Sequence, residues 1–311
     1  MPIKIPDSLP ALSVLANENI FVMSQGRAQS QDIRPMQLAI VNLMPNKIET
    51  EIQLLRMLSN TPLQVNVDLV RLHLNEPKHT AKAHVDAFYV LFDDIKHKRY
   101  DGLIITGAPL AQLEYQQVSY WQKICDVFAW ANSHVTSTLY SCWAAHAALY
   151  YRFGIERQLR QTKLSGVYRH QTMVANEPLT RGFDEYFLVP HSRFGQLPLD
   201  TYKQVEQLAI LAHSAQAGVY LAATKDKKHV FVTGHPEYDA TTLNDEYQRD
   251  LASGVSPHCP ENYYPDDDPI NTPVNSWRSH GSLLFTNWLN YYVYQITPYQ
   301  LQHGNTQTVK R

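Results

Sequence analysis

The chain alternates short apolar runs with longer amphipathic stretches. That rhythm predicts strand–helix–strand units around a mainly parallel sheet. Leu38-Ala-Ile-Val41 is continuously apolar, as a central strand covered on both faces would be. After Pro45, Ile48, Ile52 and Leu55 recur at helical spacing. Leu63, Val65, Val67 and Leu69 alternate with polar residues and predict a half-buried strand. Gly102–Thr106 predicts another buried strand, ended by Gly107 and Pro109, and the following helix aligns Trp121, Ile124, Cys125 and Phe128. Val135–Ser141 predicts a further strand that ends at Cys142, directly before the helix-forming Trp143–Leu149. Beyond about Thr162 the pattern shortens into β-rich runs at Tyr186–Val189, Val219–Ala222 and Val230–Thr233. A helix over Thr241–Leu251 follows, with Leu243, Tyr247 and Leu251 as its apolar stripe. No linker divides the pattern, so residues 1–311 are expected to form a single α/β domain. Residues 1–35 are expected to be an N-terminal extension packed on it, 256–276 an irregular proline-rich loop, and 277–297 a closing helix.

Composition narrows the function. A net charge of −2 offers no footprint for nucleic acid or an anionic membrane. The longest apolar run, Ala87–Phe92, is too short to span a bilayer. The start, with Pro2, Pro6 and Pro10, lacks the apolar core of a secretory signal. Cys125, Cys142 and Cys259 form no CxxC pair, which argues against a disulfide framework or structural zinc and fits a reducing cytoplasm. Asp266-Asp-Asp268 lacks calcium-loop spacing, and no phosphate loop or dinucleotide fingerprint is present, so no metal and no resident cofactor are expected.

Two segments carry chemistry. Cys142 stands where a buried strand meets a helix, the elbow position at which a nucleophile is lifted out of the sheet. Free N–H groups at the helix start favour a thiolate and can hold an oxyanion. A lone cysteine is more often a small buried hydrophobe, and Tyr140 and Ala144 stand where many elbows carry glycine. The second segment is Gly234-His-Pro-Glu-Tyr-Asp239. It sets His235 at a strand's carboxyl end, where open α/β sheets place ligand sites, with Glu237 near enough to orient the imidazole.

Together with Gly107-Ala-Pro109, Ser141-Cys-Trp-Ala144, Lys163-Leu-Ser-Gly-Val-Tyr168, Pro190-His-Ser-Arg193 and Trp277-Arg-Ser-His-Gly281, these segments resemble the homoserine O-acyltransferases of methionine biosynthesis, most closely the succinyltransferase branch. The resemblance runs from Asn42-Leu-Met-Pro45 to Asn287–Gln295 and so covers nearly the whole chain. It implies a flavodoxin-like, class I glutamine amidotransferase-like fold with C-terminal embellishments. It also implies a homodimer and a ping-pong reaction between succinyl-CoA and L-homoserine, the CoA thioester being a substrate. By the same resemblance Cys142 takes the acyl group, His235 is the general base and Glu237 its partner. The N–H of Trp143 would hold the oxyanion. Lys163, Ser192 and Arg249 would contact substrate, and Lys47 is a further candidate. From its own pattern, Arg249 would instead be a solvated helix residue. Family donor choice is tied to position 111, with Glu for acetyl and Gly for succinyl. Ala111 adds one methyl over glycine and brings no charge to repel succinate, which favours succinyl-CoA over acetyl-CoA. The alternatives are a homoserine O-acetyltransferase and, with the same Cys–His–Glu set, a glutamine amidotransferase.

Overall fold

The computed structural model describes residues 3–4, 6, 8–17, 35–73 and 79–297. Most of the N-terminal extension, and the chain beyond 297, lie outside the described residues. Eleven strands form one sheet: β1 (Ile3–Lys4), β2 (Met36–Val41), β3 (Val65–Arg71), β4 (Tyr89–Leu91), β5 (Tyr100–Ile105), β6 (Val135–Ser141), β7 (Gln158–Thr172), β8 (Tyr186–Gln196), β9 (Leu208–Ser214), β10 (Gly218–Thr224) and β11 (His229–Val232). Their order is β1-β3-β2-β5-β6-β11-β10-β9-β7-β8, with β4 against β3. From β1 to β11 every pairing is parallel, and from β11 to β8 every pairing is antiparallel. The run β3-β2-β5-β6-β11 is the flavodoxin-like order 2-1-3-4-5. The mainly parallel, doubly wound half is therefore present as expected, and the shorter, β-rich second half is an antiparallel extension of the same sheet.

The nine α-helices among the described residues are α1 (Ala11–Asn17), α2 (Lys47–Leu58), α3 (Lys82–Phe88), α4 (Phe92–Ile95), α5 (Trp121–His134), α6 (Trp143–Phe153), α7 (Leu199–Lys203), α8 (Thr242–Ala252) and α9 (Arg278–Asn287). The period-2 alternation of the strands feeds two cores. Leu38, Ile40 and Ile104 face one core with Leu54, Leu58 and Phe285 from α2 and α9. Ala39, Val41, Leu103 and Ile105 face the other, with Ile124, Phe128, Ala148 and Leu149 from α5 and α6. Cys125 of α5 is buried, as its apolar stripe predicts, and burial pushes its thiol up to about 11.

Two sequence expectations need correcting. The closing helix is not uniform. After α9 the chain continues as a π-helical turn over Trp288–Tyr294, which keeps Trp288, Leu289, Tyr292 and Val293 on the core. The apolar stripe assigned to α8 is also wrong, because Leu251 is 43 % exposed. The inward face of α8 carries Leu243 together with the acids Glu246 and Asp250, which Lys163 neutralises. Residues 256–276 hold only short turns and one 3-10 turn at Pro265–Asp267, and Glu261 pins them to β7 by exchanging backbone hydrogen bonds with Ser165 and Val167.

Candidate active site

Strands β6 and β11 are paired in parallel to their last residues, Ser141 opposite Val232, so the chemistry-bearing segments after them emerge side by side. The Cys142 N–H donates to the Val232 carbonyl at 2.7 Å, which fixes the thiol at this edge. Cys142 has φ +48° and ψ −111°, a strained conformation for a non-glycine residue. The strain arises because the strand must turn into α6 within one residue, and it aims the side chain away from the sheet. Both neighbours are committed to packing. Tyr140 stacks on Phe231 at 5.3 Å, and Ala144 is buried in the core. The room that flanking glycines would give is found instead across the site, at Gly107. A Cβ there would stand 3.2 Å from the Cys142 Cβ and 3.7 Å from the Trp143 nitrogen. The Trp143 N–H is the first of α6 and has no partner within the helix. It therefore shares with the Gly107 loop the space beside the thiol.

His235 is buried, and its backbone N–H donates to the Pro190 carbonyl at 2.8 Å, tying it to β8. Its Nδ1 lies 2.9 Å from Glu237 Oε1, and its ring stacks on Tyr238 at 4.1 Å. Burial pulls the His235 pKa down, but the charges of Cys142 and then Glu237, with hydrogen bonds to both, raise it well above the usual histidine value. Cys142, His235 and Glu237 thus form one electrostatic unit.

Next to it lies a second polar cluster. Lys163 Nζ donates to Glu246 Oε2 at 2.7 Å and to Asp250 at 3.4 Å, while Tyr238 Oη donates to Glu246 Oε1 at 2.9 Å. The Ser192 hydroxyl also donates to Glu246. Burial alone would raise the Glu246 pKa, yet Lys163 and Ser192 hold it below the ordinary value. Lys163 and Ser192 therefore meet on one buried carboxylate, and Tyr238 links that carboxylate to the His235 ring.

The other expected residues are placed more loosely. Arg249 has a 66 % exposed side chain paired with Asp250, the solvated position its own pattern predicts. Lys47 sits beyond β2 at the same sheet edge, with Nζ on the carbonyls of Asn42 (2.7 Å) and Met44 (3.4 Å). Burial lowers its pKa to about 8. Ala111 is half-buried in the turn after Gly107. Glu246 and Tyr238 were not singled out in the sequence. Only their place on an otherwise polar helix face and beside His235 could have marked them. Among the described residues no His, Cys, Asp and Glu cluster could hold a metal ion, and no helix is long and apolar enough to cross a membrane.

Comparison with known proteins gives the family and the fold. The family model for homoserine O-succinyltransferase matches residues 2–299. Relatives named homoserine O-succinyltransferase from Pseudoalteromonas atlantica and Aeromonas hydrophila are 60 % and 59 % identical to the chain. Each alignment covers 97 % of this chain, and 98 % and 95 % of the two relatives. Among solved structures, glutamine amidotransferases from Thermotoga maritima and Methylobacillus flagellatus superpose with a TM-score of 0.52 at 12 % and 10 % identity. Those superpositions cover 83 % of this chain, and 97 % and 95 % of theirs, and speak for the fold alone. A nucleophile elbow with a buried His–Glu pair, and a family match over nearly the full length, lead to one assignment: this chain belongs to the homoserine O-succinyltransferase family.

Proposed function

We propose that this chain transfers a succinyl group from succinyl-CoA to the hydroxyl of L-homoserine in methionine biosynthesis, in two steps through a thioester on Cys142. The observation that carries the mechanism is the strained Cys142 elbow in electrostatic contact with the buried His235–Glu237 pair. In the first step the Cys142 thiolate attacks the thioester carbonyl. The oxyanion is held by the Trp143 N–H and a donor from the Gly107–Ala111 loop. The C–S bond to coenzyme A breaks, and the departing thiolate takes the proton from His235. In the second step homoserine occupies the vacated cleft. His235 removes the hydroxyl proton as the oxygen attacks the thioester, and Cys142 leaves as thiolate.

Acylation changes the base it depends on. The free thiolate is the largest charge raising the His235 pKa, and it disappears when the sulfur is acylated. Burial then acts against Glu237 alone, and the imidazole gives up its proton more readily, as a base for the hydroxyl must. Lys163, Ser192 and Glu246 line the neighbouring cleft for homoserine. Glu246 suits its ammonium, and Arg249, one residue from Asp250, its carboxylate.

Donor choice is assigned to Ala111, and Ala111→Glu is the direct test. The substitution is expected to lower kcat/KM for succinyl-CoA by roughly 10²-fold through lost volume and like charge, while acetyl-CoA is retained. Thiol release from both donors in the presence of homoserine measures this. A wild-type chain that turns over acetyl-CoA much faster than succinyl-CoA, or that hydrolyses glutamine with no acyl-CoA turnover, would overturn the function proposed.

A further inference from the structure

Arg193 is only 6 % exposed, yet none of its hydrogen-bond acceptors is a carboxylate. Nη1 donates to the Gly195 carbonyl at 2.5 Å, Nη2 to the Ala217 carbonyl, and Nε lies 3.4 Å from His191 Nδ1. A guanidinium has five N–H donors, so this leaves capacity for a further acceptor. The histidines around it do not share its charge. Burial pushes His146 and His170 down to about 3 and His191 well below its usual value. Arg193 is thus a buried cation whose three neighbouring histidines are neutral and whose acceptors are all uncharged, a costly arrangement unless an anion is supplied.

Its place in the fold indicates where that anion comes from. Gly195, two residues on, lies against α6, where a Cβ would come 2.8 Å from His146 Nδ1. The His146 N–H donates to the Cys142 carbonyl at 3.2 Å, so this part of β8 runs beside the first turn of the nucleophile helix. Burial lowers the Arg193 pKa, and the largest charge opposing it is Cys142. Cys142 acts on His235 through both charge and a hydrogen bond, but on Arg193 through charge alone. Nearby, Tyr202 Oη and Trp143 Nε1 are buried with no protein partner among the described residues. Lys163 is engaged by Glu246 and Asp250 and Lys47 by carbonyls, while Arg157 and Arg160 bond the Leu113 carbonyl and the Gln196 amide and each keep one buried nitrogen without a partner.

We infer that Arg193 receives the distal carboxylate of the succinyl group while that group is carried on Cys142, an assignment that rests on the two-step function proposed above. A carboxylate there would supply the charged acceptor that the carbonyls of Gly195 and Ala217 do not. An uncharged acyl group would leave Arg193 buried without a counter-charge, so the residue selects against uncharged donors independently of Ala111.

The test compares succinyl-CoA with butyryl-CoA, which carries a methyl group in place of the carboxylate, using coenzyme A release in the presence of homoserine. Arg193→Met is expected to lower kcat/KM for succinyl-CoA by roughly 10²-fold or more and that for butyryl-CoA far less. Equal losses on both donors would overturn the inference and leave Arg193 a support of the thiol or the fold. Should Arg193→Met show no cooperative thermal transition, Arg193→Lys decides. A succinyl-to-butyryl preference at least about tenfold below wild type supports the inference, and an unchanged preference overturns it. Wild-type chain that turns over neither donor contradicts the function itself, an outcome distinct from a change in donor ratio.

Discussion

Cys142→Ala is expected to abolish succinyl transfer, lowering kcat by at least ~10⁴-fold, because both half-reactions pass through the sulfur. The loss should be chemical, not structural. Alanine keeps the Cβ beside Gly107 and the N–H that bonds Val232, and removes one half-buried atom. A control separates the two. Cys142→Gly should be just as inactive, yet more stable than Cys142→Ala by about 1–2 kcal/mol, since glycine adopts φ +48° without the penalty a Cβ imposes. Thermal melts beside the kinetics check both halves. An inactive Cys142→Ala with wild-type stability, and a Cys142→Gly that melts higher, would mark the turn as strained for function. Substantial turnover by either variant would remove Cys142 from the mechanism.

His235→Asn is expected to slow transfer to homoserine by about 10²- to 10⁴-fold, the usual contribution of a positioned general base. The pH behaviour follows from the sign of its shift. The folded His235 pKa lies above the unfolded value, so proton binding favours the folded chain. That stabilisation is fully present below the unfolded histidine pKa and is lost as pH rises through the folded one. In the acyl-enzyme the thiolate is absent and the His235 pKa falls. The rate of acyl transfer to homoserine should therefore reach its plateau at lower pH than the midpoint at which the free enzyme loses its His235 proton. Single-turnover kinetics of pre-acylated enzyme, set beside NMR titration of the free enzyme, measure the two midpoints. Coincident midpoints would show that Cys142 does not control the base.

The parallel half of the fold was legible because its strands are covered on both faces. Leu38–Val41 and Gly102–Ile105 are apolar without interruption for that reason, and each is followed by a helix at clear spacing. The antiparallel half was harder to see. β7 runs over fifteen residues, but Arg160, Lys163 and Arg169 keep it polar, because part of it faces the cleft. The site divides along the same line. Cys142 and His235 stand at strand ends, where local pattern marks an exposed edge. Glu246 lies on a helix whose inward face is acidic, so reading α8 by its apolar residues chose Leu243–Tyr247–Leu251 and turned the helix the wrong way. A hydrophobic stripe predicts orientation only where burial is apolar, and here Lys163, Ser192 and Tyr238 make the burial of a carboxylate favourable. Arg193 was invisible as chemistry for a related reason: nothing in a sequence distinguishes a buried, carboxylate-free arginine from an exposed one.

The central claim is that the acyl group rests on Cys142 between two substrates, and the most direct test omits the second one. Enzyme mixed with succinyl-CoA without homoserine, quenched in acid and analysed by intact and peptide mass spectrometry, should carry one succinyl group. That group should lie on the peptide containing Cys142, be matched by one coenzyme A released per site, and be discharged on adding homoserine. Coenzyme A release that begins only when homoserine is present, with Cys142 unmodified throughout, would contradict the account.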